Sequence, residues 1–210
     1  MRSIMLLPLT LVSVVLASPV QNVVDNRPAP VPIELFVMSK CPDKQACEAV
    51  FKDVLEQVKV PVSLDVNYIA SHNPRAPYEH TCMHGSSECL GNIQELCFKH
   101  VYPSHQDWFA FDLCLNERLQ SIGRDDLLAP RCAQRLHKNF APVASCIDGQ
   151  QGIDLLHSSV DRTQSLGVTK SCTVFINNKL RCIHDGSWKE CDGGSRVEDF
   201  VRTIEDSYRQ

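Results

Sequence analysis

The stretch that decides the fold runs from Val31 to Cys47 and reads V-P-I-E-L-F-V-M-S-K-C-P-D-K-Q-A-C. Its first part, Ile33 to Met38, is short and almost continuously apolar, which is typical of a buried strand. Pro42 suits the first position of a helix, and from Cys47 onward the apolar residues recur at the spacing of one helix face. Cys41 therefore lies at the corner between a strand and a helix.

This position makes Cys41 the leading candidate for a nucleophile. The unpaired backbone N–H groups and the dipole at a helix N-terminus favour a thiolate over a thiol. Cys41 alone combines a strand end, a helix N-terminus and an expected exposure to solvent. A strand, a Cys-Pro pair and a helix in this order resemble the start of a thioredoxin-like site.

The second cysteine of a C-x-x-C pair is missing, because its position is occupied by Lys44. The next cysteine, Cys47, lies on the apolar face. If the helix is regular from Pro42, the Cα atoms of Cys41 and Cys47 are roughly 9 Å apart, beyond the limit of about 7 Å for a disulfide. Two interpretations of Cys47 stay open, a second thiol of the site and an inert core cysteine.

The ends and the composition of the chain suggest a route through the secretory pathway. Residues 1–17 have one early charge and an apolar core, which predicts a cleaved signal peptide, and the polar, proline-containing segment 18–30 is expected to be disordered. Residues 31–210 then form one domain. Eleven cysteines indicate a disulfide-forming compartment, and their odd number implies at least one thiol that is free, reactive or paired between chains. The net charge of −4 argues against a nucleic-acid or membrane partner.

The most specific stretch is Cys82 to Cys97, C-M-H-G-S-S-E-C-L-G-N-I-Q-E-L-C. It matches C-x-H-G-x-x-E-C-x-x-N-x-x-x-x-C, the signature of the gamma-interferon-inducible lysosomal thiol reductase family, which the chain thus resembles. The resemblance continues in the segment 146–156 and in Cys172 to Asn177, and so covers nearly the whole mature chain. The lysosomal members have a C-x-x-C where this chain has Cys41 and Lys44. The C-P-D start and the S-C-T-V segment look like fungal members.

The signature predicts a helix entrance held by disulfides. Gly85 permits a tight turn, and Glu88 and Asn92 can satisfy backbone groups. A zinc site formed by four side chains is the rival interpretation, and oxidising surroundings favour disulfides over it. Its ligands would be Cys82, His84, Cys89 and Cys97.

The remaining pattern completes the predicted fold, an α/β, thioredoxin-like core with a helical, disulfide-stapled insertion at about 82–166. An alternating strand, Val62 to Tyr68, follows the first helix, so the chain begins β-α-β. After the insertion, the segment 172–183 reads as a hairpin with its turn at Asn177 and Asn178. Cys182 and Cys191 flank a loop and are natural bridge partners.

Cys172 falls where the thioredoxin-like pattern T-P-T-F-V-I-N has a cis-proline packed against the active-site cysteine. We expect a trans Ser171-Cys172 bond, because a cis bond costs a residue other than proline about 2.5–4 kcal/mol. We also expect Cys172 within disulfide reach of Cys41 as its partner, with Cys47 as the competing candidate. The alternative is that Cys172 is bridged elsewhere.

The sequence thus predicts a secreted or vacuolar-lysosomal thiol–disulfide oxidoreductase with Cys41, Cys172 and Cys47 as catalytic residues. Its partners are disulfide-containing proteins, and no cofactor or metal is expected, because thiol–disulfide exchange needs neither. The alternative function is a redox-inactive binding or structural protein on the same scaffold, with its site cysteines locked in disulfides.

Overall fold

The computed structural model describes residues 28–209. The predicted signal peptide, residues 1–17, lies outside the described residues, as does all but the end of the segment 18–30. The strands are β1 (Val31–Val37), β2 (Val62–Tyr68), β3 (Ser71–His72), β4 (His80–Thr81), β5 (Thr173–Ile176), β6 (Lys179–His184) and β7 (Trp188–Lys189). The helices are α1 (Pro42–Gln57), α2 (Ser86–Val101), α3 (His105–Asn116), α4 (Leu128–Arg135), α5 (Ala141–Asp148), α6 (Gln150–Ser165) and α7 (Val197–Tyr208).

The core is a five-stranded sheet with the strand order β2-β1-β5-β6-β7. β1 runs parallel to β2 and antiparallel to β5, and β6 and β7 continue the antiparallel half. The parallel pair follows from the β-α-β start, since a helical crossover returns the chain in the same direction. β1 is an interior strand between β2 and β5, and Cys41 follows shortly after its end.

Helix α1 packs against α7, with the rings of Phe51 and Phe200 5.2 Å apart. The β5–β6 hairpin turns at Asn177 and Asn178, which both have positive φ, as expected of a turn built from asparagine. At the other end of the hairpin, Asp43 in the first turn of α1 contacts His184, which is paired with Cys172 through backbone hydrogen bonds.

The insertion consists of helices α2 to α6, held by disulfides. Cys97–Cys146 ties α2 to α5, and Cys114–Cys132 ties α3 to α4. The architecture confirms an α/β core with a helical, disulfide-stapled insertion. Within the described range 28–209, no helix is long and apolar enough to cross a bilayer.

Candidate active site

Cys41 is the N-cap residue of α1, and Pro42 begins the helix as predicted. The Cys41 N–H donates to the Met38 carbonyl oxygen at 2.9 Å, so the strand end is closed into a tight turn before the helix. The expected exposure of Cys41 was wrong, because only 9% of the residue is accessible. A substrate disulfide must therefore reach a largely covered residue.

Two polar side chains that sequence reasoning missed stand beside Cys41. Its Sγ lies 3.7 Å from Asp43 Oδ2, and Asp43 Oδ1 is 2.6 Å from His184 Nδ1. The Gly186 N–H donates to the same Oδ1 at 2.7 Å. The result is a Cys41–Asp43–His184 chain of contacts. No local pattern could have revealed it, because 141 residues separate Asp43 from His184.

The position of the missing second cysteine is filled by a buried cation. Lys44 is fully buried and lies 3.0 Å from Glu48 Oε2 and 3.2 Å from Glu95, while its Nζ donates to Asn116 Oδ1 at 3.1 Å. Burial lowers the pKa of Lys44, but the nearby carboxylates outweigh it and hold the pKa above its usual value. Lys44 therefore stays charged and anchors the first turn of α1 in the core.

Glu95 is the titrating member of this buried cluster. Burial raises its pKa to about 7, opposed by the attraction of Lys44 and helped by the repulsion of Glu48. Tyr68 O–H donates to Glu95, and burial raises the pKa of this phenol well above its usual value. Asp112, whose two oxygens are buried without a partner, has a pKa raised by burial as well. Because these pKa values are raised, part of the buried cluster next to α1 is protonated near neutral pH.

The signature segment positions the Cys41 loop. Asn92 Oδ1 accepts a hydrogen bond from the Ser39 N–H at 3.0 Å, and Ser39 Oγ donates to the Glu88 carbonyl oxygen at 3.1 Å. Lys40, also buried, donates to the carbonyl oxygens of Gln120 (3.2 Å) and Ile122 (3.1 Å). Residues 39 and 40 are therefore both fastened to the helical insertion just before Cys41.

The signature itself is stabilised internally. Gly85 has a φ of 84° and precedes α2, and the His84 N–H donates to Glu88 Oε1 at 3.1 Å. Cys82 and Cys89 form a disulfide, and Cys97 is bonded to Cys146. The disulfide interpretation of the signature is confirmed, and the rival zinc site is wrong because its three thiols are consumed.

Cys172 is bonded to Cys47, with a Cα–Cα distance of 6.3 Å. The expected Cys41–Cys172 pairing is therefore not found, and the alternative, a bridge elsewhere, holds. The physical reason is that α1 is regular from Pro42, so Cys47 lies on the buried face of the helix, where the Cys172 loop packs. The expected trans bond was also wrong, because the Ser171-Cys172 peptide is cis.

The loop that carries Cys172 nonetheless lies against the turn before Cys41. The Cys172 N–H donates to the His184 carbonyl oxygen at 2.9 Å, and the Met38 N–H donates to Ser171 Oγ at 3.1 Å. Among the residues that the structure describes, Cys41 is the one free cysteine. Cys182 and Cys191 form the predicted bridge. The site therefore combines one thiol with one adjacent buried disulfide.

The chain is similar in fold to several bacterial proteins of known structure. Oxidised BdbD from Bacillus subtilis has a TM-score of 0.60 at 16% identity, over 89% of this chain and 90% of that one. Alpha-DsbA2 from Wolbachia pipientis, a thiol-disulfide exchange protein, has a TM-score of 0.57 at 13% identity, over 87% and 83%. Alpha-DsbA1 from the same organism has a TM-score of 0.55 at 15% identity, over 86% and 87%. These likenesses confirm the predicted thioredoxin-like fold.

Comparison with curated proteins gives no match. The family model described as gamma interferon inducible lysosomal thiol reductase (GILT) matches residues 32–136, which include Cys41, the buried Lys44 and the whole signature. This is half of the chain, and it contains the thiol and the segment that positions it. The protein therefore belongs to the gamma interferon inducible lysosomal thiol reductase family, whose members are thiol–disulfide oxidoreductases.

Proposed function

We propose that the protein reduces disulfides of other proteins with Cys41 as the nucleophile. The observation that carries the proposal is the state of the site, where a free thiol at a helix N-terminus stands beside a carboxylate and a histidine. Catalysis by thiol–disulfide exchange needs such a positioned thiol and no cofactor.

In the first step, the Cys41 thiol gives its proton to Asp43, which His184 and the Gly186 N–H hold in place. The Cys41 sulfur then attacks one sulfur of a substrate disulfide. A Cys41–substrate disulfide forms, the substrate S–S bond breaks, and the second substrate sulfur leaves as a thiolate that takes up a proton.

Resolution needs a second thiol, and we propose that Cys172 supplies it when the Cys47–Cys172 pair is reduced. The Cys172 thiolate attacks Cys41, releasing the second substrate thiol and forming a Cys41–Cys172 disulfide. The Cys47 thiolate then attacks Cys172, which frees Cys41 and leaves the Cys47–Cys172 bond that the structure contains. The substrate gains two electrons and two protons, and the Cys47–Cys172 pair loses them.

A further turnover requires an external thiol reductant, either a small thiol or a protein dithiol, to reduce the Cys47–Cys172 bond. In this scheme the structure corresponds to the oxidised end of the cycle, with Cys41 restored. Both sequence candidates for the partner of Cys41 then have a role, with Cys172 acting before Cys47.

A cavity beside the site is suited to an extended substrate chain. It has a volume of about 450 Å³ and is lined mainly by apolar groups, including Met38, Ile69, Met83 and Val168. Met38 is joined to Cys41 by a backbone hydrogen bond, and Met83 is 74% exposed. We propose that apolar residues flanking the substrate cysteine bind here, since methionine adapts to varied partners.

The second candidate function, a redox-inactive binding protein, is favoured by one observation. Cys47 and Cys172 are both completely buried in their disulfide, which limits the access of a reductant. In this alternative, Cys41 is only a covered thiol, and the scaffold serves recognition alone.

The proposed compartment is the vacuole or lysosome, or the extracellular space, reached through the secretory pathway. The support is a fold with five disulfides, since such bonds persist in oxidising compartments. Localisation of the full-length chain with a C-terminal tag tests it, and retention in the cytosol would contradict it.

The activity test is a Cys41→Ser variant in a multiple-turnover assay, with a protein disulfide as substrate and a thiol reductant in excess. We expect the loss of all catalysis above the reductant background. The matched control is Ser145→Ala, an exposed substitution on α5 outside the site, which is expected to keep wild-type activity. Wild-type protein without activity above background would favour the binding alternative, and an active Cys41→Ser variant would exclude Cys41 as the nucleophile.

A further inference from the structure

Three histidines form a second chemical cluster that the proposed redox cycle does not use. His72 and His80 are cross-strand partners on β3 and β4, and the ring of His157 on α6 lies 4.2 Å from that of His72 and 5.6 Å from that of His80. One ring nitrogen from each residue lies within 4.8 Å of the others. Three elements that are distant in sequence thus bring three imidazoles to one point.

The hydrogen bonds around the cluster fix where the ring protons lie. His80 Nδ1 is 2.7 Å from the Tyr78 carbonyl oxygen, which can only accept, so Nδ1 carries the proton and Nε2 has a free lone pair. His80 is 2% exposed, and its Nε2 is buried without a hydrogen-bond partner.

His72 also has one ring nitrogen at an acceptor, in this case a carboxylate instead of a carbonyl oxygen. Its Nε2 is 2.8 Å from Asp161 Oδ1, so the Nε2 proton points at Asp161 and the neutral ring has its lone pair on Nδ1. His72 Nδ1 is likewise buried without a partner. Two buried acceptors therefore lie close together with no donor between them, an arrangement that costs free energy unless a cation binds there.

We propose that His72, His80 and His157 bind a divalent zinc-type metal ion, with His72 Nδ1, His80 Nε2 and one ring nitrogen of His157 as ligands. Zn–N distances of about 2.0–2.1 Å in a tetrahedral site require nitrogen atoms roughly 3.4 Å apart, so the ring nitrogens must approach one another by up to about 1.4 Å. The ion would hold the β3–β4 hairpin on α6.

The chemistry of the cluster selects the class of ion. Neutral imidazoles suit zinc, copper and nickel, whereas calcium and magnesium require oxygen ligands. The Tyr78 carbonyl and Asp161 stand where outer partners of metal-bound histidines usually stand, each accepting the proton of the nitrogen that does not bind the metal. The side chain of His157 is 52% exposed, which leaves a path for the ion and a fourth position for water.

The test is titration of the purified, disulfide-intact protein with ZnCl₂ by calorimetry and with CoCl₂ by absorption spectroscopy. We expect one equivalent of metal and the visible bands of tetrahedral cobalt. His157→Ala should weaken binding at least about 100-fold, and Asp161→Asn about 10-fold to 100-fold. Both residues are exposed, so these variants should fold, and His100→Ala, an exposed histidine outside the cluster, is the control that should bind as wild type does.

Three results would overturn the proposal. The first is the absence of stoichiometric zinc binding by the wild type. The second is binding by His157→Ala as tight as that of the wild type. The third is a thiolate-to-cobalt charge-transfer band, which would make Cys41 the ligand. None of these readouts depends on disulfide reduction, so they are independent of the proposed activity.

Discussion

At the scale of single residues, the site depends on Asp43 as much as on Cys41. A cysteine at a helix N-terminus is a common arrangement, but here the carboxylate in the first turn contacts the thiol and is itself held by His184 and Gly186. The carboxylate is placed to accept the thiol proton when substrate enters. This gives a covered thiol a local route to the reactive form.

We therefore predict that Asp43→Asn slows disulfide reduction by about 10-fold to 100-fold, the lower part of the range for loss of an acid–base group. Single-turnover kinetics with the reduced enzyme measure it. Asp53→Asn is the matched control, because it makes the same change on the exposed side of the same helix. Equal rates for Asp43→Asn and wild type would remove Asp43 from the mechanism.

At the scale of elements, helix α1 carries the site on one end and a buried ion cluster beneath its first turns. Lys44, which replaces the second cysteine of a C-x-x-C, is neutralised by Glu48 and Glu95. Removal of one partner of a buried ion pair leaves the remaining charge without a counter-charge, which lowers the free energy of unfolding by about 3–5 kcal/mol. The same loss at the surface costs about 0.2–1 kcal/mol.

Lys44→Met should accordingly lower the free energy of unfolding by about 3 kcal/mol or more. Lys52→Met, which removes an exposed partner of Glu56 from the same helix, should change it by less than about 1 kcal/mol. Urea unfolding at pH 7 compares the two variants. Similar losses in both would show that the buried cluster does not hold α1.

The local elements were predictable because their signals are local. The apolar run of β1, the helical spacing after Cys47 and the alternation of β2 each specify an element without reference to the rest of the chain. The disulfide partner of Cys172 could not be predicted, because it depends on which face of α1 packs against the Cys172 loop. The Asp43–His184 contact and the histidine cluster likewise exist only after the sheet has brought distant segments together.

At the scale of the whole molecule, the buried carboxyl groups link stability to pH. The pKa of Glu95 is about 7 in the folded state and near 4.5 in the unfolded chain, so between these values the folded state binds more protons. The contribution of Glu95 to stability is therefore full below about pH 4.5 and is lost as the pH rises through 7. The contribution of Glu95 to the stability of the fold is therefore largest at acidic pH.

The corresponding prediction compares wild type with Glu95→Gln, which imitates the protonated carboxyl. Relative to the variant, wild type should lose about 1–3 kcal/mol of unfolding free energy between pH 5 and pH 8. Urea unfolding of both proteins at the two pH values gives the difference, and contributions from the histidines cancel. A difference that is the same at both pH values would contradict a raised Glu95 pKa.

The central claim is that Cys41 attacks the substrate and Cys172 releases it, and trapping tests this most directly. The reduced Cys172→Ala variant, mixed with a protein disulfide and quenched with acid, should accumulate a covalent complex joined through Cys41, which mass spectrometry after proteolysis identifies. Wild type should show little complex and should end with Cys41 free and Cys47 bonded to Cys172. A Cys172→Ala variant that forms no complex, or one joined through another cysteine, would contradict the account.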